Sequence, residues 1–169
     1  KITWDTVKMI QDTIDGRPLI LKGIQTAEDA ALAVEHGVNA IYISNHGGRQ
    51  LDHVLGNMDM LPEIVAAVDG KAEIVIDGGF TRGTDIVKAI AMGADVAAIG
   101  RMQAWALGAG GAPALIKCLE LLEREITTTM GLIGVTSLDQ LDSNYVTKAK
   151  WVRFPHEHSA FPHLGGQIL

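Results

Sequence analysis

The sequence has little of what several protein classes require. Cys118 is its one cysteine among 169 residues, which excludes an internal disulfide framework and suits a reducing compartment. Lys and Arg number 14 against 20 Asp and Glu, giving a formal net charge of −6, so we expect no nucleic-acid partner. No uninterrupted apolar run approaches the roughly 18–20 residues of a membrane span, and no signal-peptide pattern opens the chain. We therefore predict a cytoplasmic location, with peripheral membrane association or an organelle left open.

The remaining composition is typical of a globular protein with a core. Hydrophobic residues make up 47% of the chain and charged residues 20%, whereas disordered chains have fewer apolar residues and more net charge. The length predicts one domain. Because the chain begins at Lys1 without a Met, almost inside a helix-like segment, we expect it to be a fragment of a longer protein.

Short apolar runs alternate with longer segments of helical spacing. The runs read as buried parallel strands because their apolar residues are continuous rather than alternating. The predicted strands are residues 19–24, 40–44, 73–77 and 95–99, and the predicted helices lie near 4–14, 27–36, 61–68, 84–92 and 112–130. Four such βα units predict an α/β fold, either half of an eight-stranded barrel or a small open sheet, since a complete barrel needs at least roughly 200 residues.

Residues at the element boundaries support this assignment. Thr26 followed by Asp29 resembles a capping box, and Gly37 and Gly93 are placed to end helices in the left-handed conformation. Pro62 is best tolerated in a first helical turn, so it predicts that the third helix starts close to that residue.

Polar residues follow the predicted strands, at the edge where function concentrates in parallel α/β sheets. Lys22 interrupts an apolar run, where a lysine is rare unless an anion pairs with it or its ammonium group reaches water. His46 and Arg49 follow the second strand and are separated by two glycines. A base beside a guanidinium suits a small acid, with Arg clamping the carboxylate while His handles a proton. The alternatives are a structural histidine and a solvated arginine.

Two glycine-containing turns suggest a phosphate site. Asp77, Gly78 and Gly79 follow the third strand, and Gly100 and Arg101 follow the fourth. Glycines let backbone N–H groups approach an anion, and a following helix N-terminus adds its dipole. An Asp-Gly-Gly turn alone is common, so the prediction depends on its combination with the Gly-Arg pair.

Together these residues resemble the FMN-dependent α-hydroxy acid oxidase and dehydrogenase family, which contains glycolate oxidase, lactate oxidase, mandelate dehydrogenase and flavocytochrome b2. Matching residues extend from 3 to about 142 and include residues 44–52, of which residues 44–50, Ser-Asn-His-Gly-Gly-Arg-Gln, form a highly specific block. The resemblance implies the second half, strands five to eight, of a (β/α)8 TIM barrel over residues 1–142. Residues 143–169 would then form an irregular tail that packs on the barrel or on a neighbouring subunit.

The resemblance also implies a role for each matching residue. His46 would be the catalytic base, Arg49 would hold the substrate carboxylate, and Lys22 would be the cation beside the flavin ring. The other predicted FMN contacts are Ser44 at the flavin, Asp77 at the ribityl chain, and Gly78, Gly79, Gly100 and Arg101 around the phosphate. The family usually carries a basic pair after the Asp-Gly-Gly turn, whose first member binds phosphate, but this chain has Thr81 there. Two alternatives follow: Arg82 substitutes as a ligand, or phosphate binding depends more on Arg101.

The implied reaction oxidises an L-2-hydroxy acid to a 2-oxo acid with FMN as the acceptor. The substrate, the final electron acceptor and the choice between hydride and carbanion routes stay open. The expected partners are the N-terminal half of the same barrel, broken from this chain before Lys1, and further copies in a homotetramer or larger assembly. The tail carries metal-capable side chains, but their spacing does not favour a metal site: His156, Glu157, His158 and His163.

Two other interpretations fit part of the pattern. Another FMN-binding or phosphate-binding barrel enzyme, such as an isomerase, shares the glycine turns but does not require His46 and Arg49 in their shared block. A non-catalytic half-barrel subunit does not require Lys22 in a strand. A visible spectrum separates the three interpretations, since only a flavoprotein that a 2-hydroxy acid bleaches fits the first.

Overall fold

The computed structural model of the protein describes residues 2–149. Its strands are β1 (Ile20–Ile24), β2 (Ala40–Ile43), β3 (Glu73–Ile76) and β4 (Val96–Ala97). Its long helices are α1 (Trp4–Thr13), α2 (Ala27–Glu35), α3 (Asn57–Val68), α4 (Gly83–Ala91) and α5 (Arg101–Ile133). The predictions for residues 150–169, including the metal-capable histidines, lie outside the described residues.

The four strands form one parallel sheet in the order β1-β2-β3-β4. Each strand therefore pairs with the next one along the chain, with a helix between them, as in successive βα units of a barrel. The pairing is in register between β2 and β3, where Ala40 lies opposite Glu73 and Ile43 opposite Ile76. This arrangement confirms the α/β prediction and is that of a partial barrel.

The two faces of the sheet differ in burial. One face packs with α2 and α3 in the core and carries isoleucines that are at most 4% exposed: Ile41, Ile43, Ile74 and Ile76. The opposite face carries a row of residues, paired across the strands, that are half-buried or exposed: Lys22, Tyr42, Val75 and Val96. Since side chains alternate between faces, the helices cover one face, and the other face is open among the described residues.

The helix boundaries confirm three of the predicted signals and correct one. The Thr26 side chain accepts the Asp29 N–H at 3.2 Å, and Gly37 and Gly93 have φ of +70° and +100° after their helices. The prediction that Pro62 marks the start of the third helix is wrong, because α3 begins five residues earlier at Asn57. Asn57 is anchored by tertiary hydrogen bonds, which hold the preceding turn in the helix despite the proline.

The last helix is longer than predicted and is broken near its start. α5 begins at Arg101, after residues 98–100 that follow β4, and has non-helical backbone at Gly110 and Gly111. Its part beyond this break starts where the helix near 112–130 was predicted and ends at Ile133. By length and composition alone, α5 could cross a membrane: an 18-residue window of it has a mean hydropathy of 1.2, and 6% of that window is buried. The charges from Lys117 to Glu125 confine such a window to the part of α5 that contains the glycine break.

Candidate active site

The carboxyl ends of β1, β2 and β3 bring together a charged cluster. Lys22 Nζ donates to Asp77 Oδ2 at 2.6 Å and to Ser44 Oγ at 2.9 Å. The Ser44 hydroxyl donates to the same carboxylate oxygen at 3.0 Å, and Ser44 is fully buried. The parallel sheet places these three side chains at one edge although they are up to 55 residues apart in sequence.

Tyr42 forms the floor of this cluster. The Lys22 ammonium group lies 3.7 Å from the centre of the Tyr42 ring, a cation–π contact. Burial, followed by the negative charge of Asp77, raises the pKa of the Tyr42 phenol. The phenol is therefore neutral at physiological pH, and the ion pair of the cluster is that between Lys22 and Asp77. The Lys22 side chain is 39% exposed, so among the described residues it is paired with an anion and also reaches solvent.

Asn57 is a site residue that the sequence motifs did not identify. Its Nδ2 donates to the Asp77 backbone oxygen at 2.6 Å and to Asp77 Oδ1 at 3.1 Å, while its Oδ1 accepts the Asn45 N–H at 3.1 Å. A Cβ atom on Gly78 would lie 2.7 Å from Asn57 Nδ2. No local pattern marks Asn57, because its partners lie 12 and 20 residues away in sequence.

His46 and Arg49 lie in the loop after β2. The loop turns through left-handed backbone at His46, with φ of +54°, and at Gly47 and Gly48. The His46 N–H donates to Ser44 Oγ at 3.2 Å, which ties the loop to the charged cluster. The ring packs beside Gly23, where an added Cβ would come within 3.3 Å of His46 Cε1. The absent side chain at Gly23 therefore leaves room for the imidazole.

A cavity of about 470 Å³ opens beside this cluster. Its lining includes seven of the predicted site residues: His46, Arg49, Asp77, Gly78, Gly79, Gly100 and Arg101. Asp77 connects the cavity to Lys22 and Ser44. Gly78 and Gly79 have φ of +95° and +85°, a conformation that favours glycine. A Cβ on Gly79 or Gly100 would meet nothing within 4 Å, so open space adjoins both backbones.

The cavity has the features of a phosphate site. Arg101 is the first residue of α5, whose N-terminus therefore adjoins the lining with its free N–H groups and positive dipole. The Arg101 guanidinium lies within 3.5 Å of the position that a Cβ on Gly47 would take. Side-chain-free glycine backbone, a helix N-terminus and a guanidinium in the lining of one cavity fit the phosphate of FMN.

Arg82 is the one predicted site residue that the structure places elsewhere. Its Nε and Nη2 both lie 2.8 Å from Glu125 Oε1 on α5, and it does not line the cavity. The second Glu125 oxygen accepts the Gly83 N–H at 2.7 Å. The hydrogen bond from Arg82, followed by that from Gly83, lowers the pKa of the Glu125 carboxyl. Arg82 thus links α4 to α5 in this conformation, whereas Thr81 lines the cavity.

Comparisons with known proteins agree with this geometry. The family model described as FMN-dependent dehydrogenase matches residues 1–148. An L-lactate oxidase of Nostoc sp. is 48% identical over 145 residues, 86% of this chain and 40% of that protein. Human 2-hydroxyacid oxidase 2 is 45% identical over 86% of this chain and 41% of its own length. A mandelate oxidase variant solved with (S)-mandelic acid superimposes with a TM-score of 0.79 at 44% identity, over 82% of this chain and 41% of that one.

The chain therefore spans about two fifths of the length of the curated relatives that it matches. The match to a TIM-barrel neighbour over that share of its length agrees with the four-stranded partial barrel and its open sheet face.

Proposed function

The chain belongs to the FMN-dependent dehydrogenase family, and on that premise we propose that it supplies the base, the substrate-carboxylate ligand and the phosphate site of an enzyme that oxidises an L-2-hydroxy acid to a 2-oxo acid. The observation that carries the proposal is that His46 and Arg49 line the same cavity as the Gly78–Gly79 turn and Arg101. A proton acceptor, a carboxylate clamp and a phosphate site in one cavity suit a hydroxy acid held against a phosphate-bearing cofactor.

FMN fits the residues present. The backbone at Gly79 and Gly100, the N-terminus of α5 and Arg101 would hold its phosphate, and Asp77 would hold its ribityl chain. Lys22 would lie beside the ring, where a fixed cation favours the reduced, negatively charged form. When bound, FMN supplies a two-electron acceptor. Arg101 would supply positive charge to the phosphate, since Arg82 is engaged by Glu125.

His46 and Arg49 have different roles toward the substrate. Arg49 holds the carboxylate through paired N–H donors, which fixes the orientation of the adjacent C2 atom. The His46 imidazole accepts a proton from the bound acid. The hydrogen bond from the His46 backbone N–H to Ser44 Oγ keeps the loop close to the charged cluster. Both side chains reach the cavity from one short loop, so Gly47 and Gly48 set their relative placement.

We further propose that the remainder of the barrel covers the open sheet face that carries Lys22 and Tyr42. That face would otherwise leave apolar strand residues in water, including Ile20 and Val96, which are 53% and 47% exposed. A homo-oligomer of the completed barrel is a separate proposal, which the mass of the native assembly tests.

Anaerobic flavin bleaching tests the function. The purified protein, with its intact mass measured first, is titrated with lactate, glycolate and mandelate while the flavin absorbance is followed. We expect bleaching by at least one acid. The His46→Gln variant keeps its flavin but reduces it at least about 100-fold more slowly, as for loss of a general base. The matched control is His36→Gln, because His36 stacks on Trp4 away from the cavity. A substantial reduction rate in His46→Gln contradicts the base assignment, and a protein that holds the remainder of the barrel but no flavin contradicts the function.

A further inference from the structure

Asn57 is almost completely buried and makes an unusual set of hydrogen bonds for a residue that does not line the cavity. It is 4% exposed and is the first residue of α3, so the helix start sets its backbone position. Both of its N–H groups are used by a single residue, Asp77, one on the backbone oxygen and one on the carboxylate. Its oxygen accepts the Asn45 N–H. One side chain therefore joins the ends of β2 and β3.

The two Asp77 carboxylate oxygens have different partners. Oδ2 accepts from Lys22 and Ser44, at 2.6 and 3.0 Å, whereas Oδ1 accepts from Asn57 at 3.1 Å. Because Asn57 also donates to the Asp77 backbone oxygen, Asp77 is held both at its main chain and at its carboxylate. A rotation of this group would break the Asn57 bond, and it would also move the anion that holds the Lys22 ammonium group.

We propose that Asn57 is a positioning residue which, through Asp77, fixes the Lys22 ammonium group beside the flavin. The part that concerns the flavin rests on the proposed function, whereas the link from Asn57 through Asp77 to Lys22 does not. A preorganised cation stabilises developing negative charge better than a mobile one, because no reorganisation is needed. We therefore expect Asn57 to raise the midpoint potential of the flavin relative to a protein without this side chain.

The amide group of Asn57 is suited to this role because it is neutral and donates. An aspartate in its place would keep the shape and the acceptor for the Asn45 N–H. It would also set a second carboxylate about 3.1 Å from Asp77 Oδ1, and two carboxylates this close cannot both stay ionised without cost. The Asn57→Asp variant therefore tests charge at nearly constant volume, and Asn57→Ala tests loss of the hydrogen bonds.

Asn39→Ala is the matched control. The Asn39 side chain also joins two strands, since its Oδ1 accepts the Leu19 N–H at 2.8 Å, but it does so at the opposite end of the sheet from the cluster. Its removal costs a comparable hydrogen bond without touching Asp77 or Lys22. Thermal unfolding of all three variants measures the purely structural effect.

The first measurement is the two-electron midpoint potential of FMN in the holoprotein, by anaerobic dye-coupled titration. We expect Asn57→Ala and Asn57→Asp to bind reduced flavin about tenfold less tightly relative to oxidised flavin, a fall of about 30 mV for a two-electron couple. The fall in Asn57→Asp becomes smaller at low pH, as the added carboxyl is protonated. Asn39→Ala keeps the wild-type potential. Equal potentials in the Asn57 variants and Asn39→Ala overturn the flavin part of the proposal.

The second measurement does not need flavin. Reductive methylation of the FMN-free protein, resolved by peptide mass spectrometry, reports how firmly the Lys22 amine is held, with the exposed Lys8 as an internal reference. We expect Asn57→Ala to label Lys22 about fivefold faster, as for the loss of one hydrogen bond, and Asn39→Ala to label it at the wild-type rate. An unchanged Lys22 rate overturns the positioning role even if unfolding temperatures fall. A wild-type protein that holds the remainder of the barrel but binds no FMN overturns the proposed function, while the labelling result still decides the link to Lys22.

Discussion

Gly83 offers a sharp test of the packing between α4 and α5. It is the buried first residue of α4. A Cβ added there would lie 2.5 Å from Glu125 Cβ, 2.6 Å from the Ile126 nitrogen and 2.7 Å from the Leu122 oxygen. Two of these atoms belong to helix backbone, which cannot rotate away as a flexible side chain can. The Gly83→Ala variant must therefore separate the two helices.

The cost of that separation has two parts. Overpacking of a close contact destabilises a protein by about 1–3 kcal/mol. Moving the start of α4 also weakens the 2.7 Å hydrogen bond from the Gly83 N–H to the Glu125 carboxylate, which acts in the same direction. We expect Gly83→Ala to lower the free energy of unfolding by about 1–3 kcal/mol, the range for an overpacked contact.

Urea denaturation measures this loss as a lower transition midpoint at an unchanged slope. The matched control is Gly108→Ala, since Gly108 lies in α5 and a Cβ there meets nothing within 4 Å. A helical glycine replaced by alanine without a clash gains about 0.5–1 kcal/mol, so the two variants move in opposite directions. A Gly83→Ala midpoint equal to that of the wild type or of Gly108→Ala would refute the close-contact argument.

Three further predictions concern the site and the helix pair. Gly79→Ala and the distant control Gly16→Ala each place a side chain at positive φ, +85° and +74°, and each should lower the free energy of unfolding by about 1–2 kcal/mol. Gly79→Ala alone should weaken FMN binding in a fluorescence titration. Equal FMN affinities of the two variants would contradict the phosphate site. The pKa of Glu125 is lowered in the folded protein. The pairing of Glu125 with Arg82 therefore stabilises the fold at pH values above the ordinary carboxyl pKa of 4.5. This stabilisation is lost as the pH falls through the lower pKa that Glu125 has in the folded state. The difference in unfolding temperature between wild type and Glu125→Gln should therefore be present at pH 7 and shrink towards pH 3; a constant difference would exclude the ion pair as its source. Arg49→Lys keeps the charge but loses the planar fork, so anaerobic stopped-flow should show substrate affinity and flavin reduction falling, each on the order of tenfold, and unchanged kinetics would remove Arg49 from the site.

Local chemistry in the sequence was enough to predict the order and type of the regular elements. Continuous apolar runs predicted the four parallel strands, because strands covered on both faces carry no polar alternation. The side chain of Thr26 and the conformational freedom of Gly37 and Gly93 act within one turn of the chain, so their helix-capping roles were readable without a fold. The resemblance of residues 44–52 to a known family supplied the expected chemistry.

Tertiary structure alone decided which of the candidate side chains meet. Asn57 became a site residue, and α3 gained a turn before Pro62, because the sheet brings the end of β3 to the start of α3. The sequence motif suggested Arg82 as a phosphate ligand. In the structure its guanidinium instead donates to Glu125, which lies 43 residues further along the chain. These outcomes depend on through-space pairing of charges and buried polar groups. The sequence determines such pairing only through the whole fold, because the residues within one helical turn or one strand do not specify which distant side chain lies next to them.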